Sequence, residues 1–347
     1  MSASGGTKAI VAALLANVGI AITKFIAFIF SGSSSMLAES IHSAADSGNQ
    51  LLLLLGGRKA QKKADRAHPF GYGRERYVYA FVVSIILFSV GGVFALYEGF
   101  AKIQDPHPID VPWLPIAVLL IAMALESFSL RTAIKESNVT RGSQSWVQFI
   151  RRAKAPELPV VLLEDAAALI GLVFAFLGVG LAVITGNGVF DGIGTVLIGV
   201  LLVAVAIVLG IETKSLLVGE GATDEDLAKI EAAIEAGDDV EQLVHLKTLY
   251  LGPDELMVGA KITFPAATTL AVLAERINAA EARIRAAVPI ARIIYLEPDV
   301  LIPDTSAAAV GSAHTRKGPA TTLTFLAPVS PSGVPLTTEA IIIKGID

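Results

Sequence analysis

Six stretches of about twenty mostly apolar residues dominate this chain, at 10–30, 34–57, 78–100, 111–129, 159–184 and 189–211. A helix that crosses a bilayer needs about 20 such residues. Within the bilayer a backbone must satisfy its own hydrogen bonds, which leaves helices or closed barrels. Runs of this length point to helices. The expected fold is therefore an α-helical membrane protein, with six transmembrane helices gathered in residues 1–212. Charged residues make up 17% of the chain, against about 25% in a soluble domain. The net charge of -5 gives no footing for nucleic acid. There is no cysteine, so disulfides and thiolate metal sites are excluded. The first block is too long for the core of a cleavable signal peptide, and none is expected.

Basic residues set the expected orientation. The segment after the second block holds Arg58, Lys59, Lys62, Lys63, Arg66, Arg74 and Arg76. The segment after the fourth holds Arg131, Lys135, Arg141, Arg151, Arg152 and Lys154. The turns at 31–33 and 185–188 and the loop at 104–110 have no Lys or Arg. Loops rich in Lys and Arg stay on the cytoplasmic side. The expectation is a multi-pass protein of a bacterial plasma (inner) membrane with both termini cytoplasmic.

After residue 211 the pattern becomes that of a soluble domain. Thr223-Asp224-Glu225-Asp226 reads as a capped helix start, running to about Ala236. Strands are expected at 240–251 and 255–264 around the turn Gly252-Pro253-Asp254. A long helix at 266–288 and a strand at 290–296 complete the order. This is a small cytoplasmic α+β (ferredoxin-like) domain over 213–303, with helices on one sheet face. Residues 304–347 are small, polar and proline-rich, and read as a mostly disordered tail.

Ionisable residues inside apolar blocks are costly and mark ion paths or relays. His42 and Asp46 are four apart, on one helix face. Glu39 and Asn49 flank them at spacings of three. The fifth block opens with Glu164 and Asp165. Blander readings suit the rest. Lys24 is expected to snorkel, Glu126 to face a basic loop, Asp191 to cap its own helix, and Glu39 to be solvated near the outer surface. Imidazole and carboxylate together suit a tetrahedral divalent ion. His42, Asp46 and Asp165 supply three ligands, and Glu164 or water the fourth. Ligation needs a neutral imidazole and ionised carboxylates, so protons compete with the metal.

The run 31–50, Ser-Gly-Ser-Ser-Ser-Met-Leu-Ala-Glu-Ser-Ile-His-Ser-Ala-Ala-Asp-Ser-Gly-Asn-Gln, resembles the cation diffusion facilitator family. The loop at 68–77 (His-Pro-Phe-Gly-Tyr-Gly-Arg-Glu-Arg-Tyr) and Phe190-Asp191-Gly192-Ile193-Gly194 extend the resemblance from about Lys8 to Asp299. The motifs look like the branch that includes the mitochondrial zinc transporter. The resemblance implies a homodimer in membrane lipid that exports Zn²⁺ against H⁺, with no permanently bound cofactor. It places His42 and Asp46 in the second-helix half of the transport site and Asp165 in the fifth-helix half.

Three departures from the family pattern stand out. Zinc-transporting relatives place a ligand where Val161 stands, which leaves Glu164 as the substitute and keeps Mn²⁺, Fe²⁺, Co²⁺ and Ni²⁺ open as alternatives. A second loop site keeps Asp65 and His68, but its third position is Tyr72. The zinc positions of the soluble domain are Val244, Ala260, Tyr295 and Glu297, so no zinc cluster is expected there. Arg74 and Glu220 are expected in a charge interlock between the two domains. No His-Glu-x-x-His occurs, so a transporter is expected rather than an enzyme. A non-transporting metal sensor is the remaining alternative.

Overall fold

The computed structural model describes residues 3–300 except Asp110, Asp238 and Asp239, and of residues 3–16 the backbone course alone. The expected tail at 304–347 lies outside the described residues. The long helices are α1 (Ala3–Ser31), α2 (Ser34–Ala60), α3 (Glu75–Ile86) continued into α4 (Phe94–Gln104), α5 (Trp113–Arg141), α7 (Glu157–Thr185) and α8 (Val189–Val218). A π-helical turn over Leu87–Val93 joins α3 and α4 into one rod, and the short α6 (Trp146–Arg152) precedes α7.

Among the described residues, four helices are long and apolar enough to cross a membrane: Glu75–Gln104, Trp113–Arg141, Glu157–Thr185 and Val189–Val218. Six were expected. The apolar part described for α1 is Asn17–Ser31, and α2 is diluted by serines and by Glu39, His42 and Asp46. These two pack against each other across a tight turn at Gly32, whose φ of 63° suits glycine. The bundle core gathers Met36, Leu119, Leu172, Ile198 and Leu202. α4 and α8 touch backbone to backbone. A Cβ on Gly99 would come within 2.7 Å of the Val196 nitrogen, and one on Gly199 within 2.8 Å of the Leu96 nitrogen. Small residues allow this approach where lipid offers no hydrophobic drive.

The C-terminal part follows the expected order: α9 (Asp224–Glu235), β1 (Gln242–Gly252), β2 (Glu255–Thr263), α10 (Leu270–Ala287) and β3 (Ala291–Asp299). The Thr223 hydroxyl accepts from the Asp226 amide at 3.1 Å, closing the N-terminus of α9. The sheet order is β1-β2-β3, with β1 antiparallel and β3 parallel to β2. The parallel pair needs a crossover, which α10 provides. Ile230 and Ile234 of α9 and Ile284 of α10 pack with Val258, Ile262 and Ile294 of the sheet.

Charges hold this part to the basic-loop end of the bundle. Arg76 pairs with Glu157 of α7 and, at 3.0 Å, with Asp254 of the β1–β2 turn. Lys154 pairs with Glu220, and Arg152 with Asp224 at 3.5 Å. Glu220 thus joins the interlock, but through Lys154 rather than the expected Arg74. The two arginines are two residues apart at the entry to α3, where the chain directs Arg76 toward the β1–β2 turn. Gly73 and Gly252 meet so closely that a Cβ on Gly73 would lie 2.6 Å from the Leu251 carbonyl.

Candidate metal centre

Helix α2 carries a polar face through the bundle. Ser35, Glu39, His42, Asp46 and Asn49 follow at alternating spacings of four and three, and so share one side. The His42 ring is 1% exposed, and its Nδ1 lies 3.5 Å from Asp46 Oδ1. Neither ring nitrogen nor that oxygen has a hydrogen-bond partner. Each unpaired buried polar atom costs about 1–3 kcal/mol. Three such atoms side by side, all of ligand type, suit an incoming cation.

Two acids of α7 approach this face differently. Successive helical residues are turned by about 100°. Glu164 is buried and accepts from Asn49 Nδ2 of α2 at 2.7 Å. Asp165 accepts from the Ser129 hydroxyl of α5 at 2.8 Å and is only half-buried. No three His, Asp or Glu side chains among the described residues converge into a ready metal shell. The structure therefore groups His42 with Asp46, sets Glu164 against the next turn of α2, and turns Asp165 toward α5.

Several polar residues play other parts than expected. Lys24 does not snorkel: it is 1% exposed and bonded to Glu39 at 2.9 Å and to Ser43 at 2.8 Å. Glu39 is correspondingly buried rather than solvated. Glu126 of α5 is half-buried. Asp191 caps α2 rather than α8. Its carboxylate accepts from the Ser33 hydroxyl at 2.9 Å and from the Ser34 and Ser35 amides at 2.8 and 3.3 Å. The serines at 33–35, which offer hydroxyls and free first-turn amides together, are the sequence signal for this contact.

The loop residues are committed elsewhere. Asp65 accepts from the Tyr72 hydroxyl at 2.7 Å, from the Ala67 and His68 amides at 3.0 and 2.8 Å, and from Lys62 at 3.3 Å. The Tyr72 hydroxyl, then the His68 amide, hold its carboxyl well below the usual carboxylate range. The Lys62 ammonium sits where a second cation would be repelled. His68 stacks on Tyr72 with ring centres 4.4 Å apart. In the sheet, Ala260 is buried, Val244 and Tyr295 are exposed, and Glu297 pairs with Lys261 at 3.2 Å.

Among known proteins, similarity runs to transporters. The mitochondrial proton-coupled zinc antiporter SLC30A9 of Xenopus laevis is 29% identical over 266 residues, 76% of this chain and 48% of its own length. The human protein of that name is 29% identical over 262 residues, covering 75% and 46%. Metal tolerance protein C4 of Arabidopsis thaliana is 29% identical over 259 residues, covering 74% and 57%. The chain thus spans about half the length of the curated relatives it matches. These relatives overturn the expected bacterial plasma membrane, because the animal proteins are named as mitochondrial and a plant protein stands beside them. Loop charge reports the side of a membrane, not which membrane. The model of the cation efflux transmembrane domain matches residues 10–218, from α1 to the end of α8 and more than half of the chain. The polar helix pair α2 and α7 falls wholly inside that match, and the protein belongs to the cation efflux family.

Proposed function

We propose that this protein moves a divalent transition-metal cation, Zn²⁺ first, across a membrane in exchange for protons. The observation that carries the reading is the His42–Asp46 pair, whose two ring nitrogens and one carboxylate oxygen are buried without hydrogen-bond partners, packed among helices of membrane-spanning length. α1 and α2 join the four apolar helices as the fifth and sixth spans, shielding their polar faces against one another. His42 and Asp46 bind the ion, and α7 offers Glu164 and Asp165 to complete the shell. Because imidazole must be neutral and carboxylates ionised, each metal that binds displaces protons and each proton that returns displaces metal. The names of the zinc antiporters support both the ion and the counter-ion. The direction is outward from the side that carries β1–β3. The exposed Val244 and Tyr295 on the open sheet face support association with a second copy.

The test is zinc uptake by proteoliposomes. Flux should require a pH gradient, and Asp46→Ala should lower it by at least about tenfold. Unchanged flux in that variant overturns the reading. Competition by Mn²⁺, Fe²⁺, Co²⁺ and Ni²⁺ tests the alternative cargoes.

A further inference from the structure

One turn from His42 on the same face of α2, toward the end where Asp191 caps the helix, stands Glu39. Its side chain is 0% exposed. Oε2 accepts from Lys24 Nζ of α1 at 2.9 Å. Oε1 has no hydrogen-bond partner and faces α7, where a Cβ on Gly171 would come within 3.0 Å of it. Glu39 is thus held between α1 and α7, with Lys24 also donating to Ser43 at 2.8 Å. Placing an ammonium and a carboxylate inside a membrane bundle is expensive, and a packed apolar pair serves stability as well. The ammonium's bond to Ser43, the residue after His42, also places its charge within a turn of the His42–Asp46 pair on α2. A divalent ion on His42 and Asp46 is repelled by Lys24 and drawn toward the free oxygen of Glu39.

We infer that Lys24 is a tethered cation that holds Glu39 in place of the transported ion. A divalent cation passing from His42 and Asp46 toward the Asp191 end takes up Glu39 as Lys24 releases it. Glu39 is then a second station for the same divalent cation. Lys24 is a positioning residue that keeps the ion from being held too tightly. The inference rests on the transport reading above.

Calorimetry with ZnCl₂ on the full chain in detergent, together with proteoliposome flux, tests it. Lys24→Met keeps the side-chain length and removes the charge. It should bind zinc at least about tenfold more tightly while passing it more slowly, so that KM and maximal rate fall together. Glu39→Gln leaves the Lys24 charge without its carboxylate and should weaken binding by about tenfold. The double variant should return to within about threefold of the unaltered protein. Lys24→Arg, which keeps the charge, should retain the original affinity. A purely structural ion pair predicts lower flux in both single variants with no opposite shifts in affinity. Zinc binding by Lys24→Met that is no tighter than in the unaltered protein, or a double variant that does not return, overturns the inference alone. Failure of the unaltered protein to bind zinc overturns the transport reading and this inference with it.

Discussion

Asp191 stands in the first turn of α8 and closes the N-terminus of a different helix, α2. Its carboxylate satisfies the Ser34 and Ser35 amides and the Ser33 and Ser34 hydroxyls, all buried. Removing it leaves those donors without partners, so Asp191→Ala should cost about 2 kcal/mol or more, read as a lower melting temperature in detergent. In the loop after α2, the Asp65 carboxylate is bound by the Tyr72 hydroxyl and the Ala67 and His68 amides. Its folded pKa lies below the unfolded value of about 3.9, so its bonds support the loop above that pH and are lost as pH falls through the folded value. Titration of the Asp65 carboxyl by NMR should give a value below that of Asp in a free peptide. Tyr72→Phe removes the leading cause and should move the value back up.

Among the helices, contact between α4 and α8 depends on glycine rather than on apolar bulk. Gly99 and Gly199 each leave no room for a Cβ against the opposite backbone. Gly199→Ala should therefore destabilise the bundle by about 1–3 kcal/mol, because backbone cannot give way as a flexible side chain does. The same change at Gly180, where a Cβ meets nothing within 4 Å, should be nearly silent. Paired melting curves of the two variants check this contrast. The helical character of the apolar blocks was legible from their length, though four rather than six of the described helices are long and apolar enough to span, and the caps and turns of the sheet domain were legible from Thr223 and Gly252-Pro253-Asp254. The spacing of α4 and α8 was not, since a glycine in an apolar run does not say which partner it meets.

At the scale of the whole molecule, the bundle and the sheet domain meet through charge. Arg76 links α3, α7 and the β1–β2 turn at once. Arg76→Ala should loosen that turn, measured as faster amide hydrogen exchange at 252–255. Added salt should have a similar though smaller effect, because Arg76 and Glu157 are partly shielded from solvent. Arg152 and Lys154 contribute to the same junction, so no single variant should detach the domain.

A helical membrane bundle, the order αββαβ of its C-terminal part and the His42–Asp46 pair are all written in the local sequence. Each of these follows from local spacing: run length, alternation, and four residues along one helix. Helix packing, by contrast, sets which groups meet across helices. It turned Glu164 toward Asn49 and Asp165 toward Ser129, paired Lys24 with Glu39, and sent the Asp191 carboxylate to another helix. Spacing along one chain fixes a side chain's angle about its own helix. The partner it finds depends on how the helices are rotated and packed against one another, which no single helix encodes.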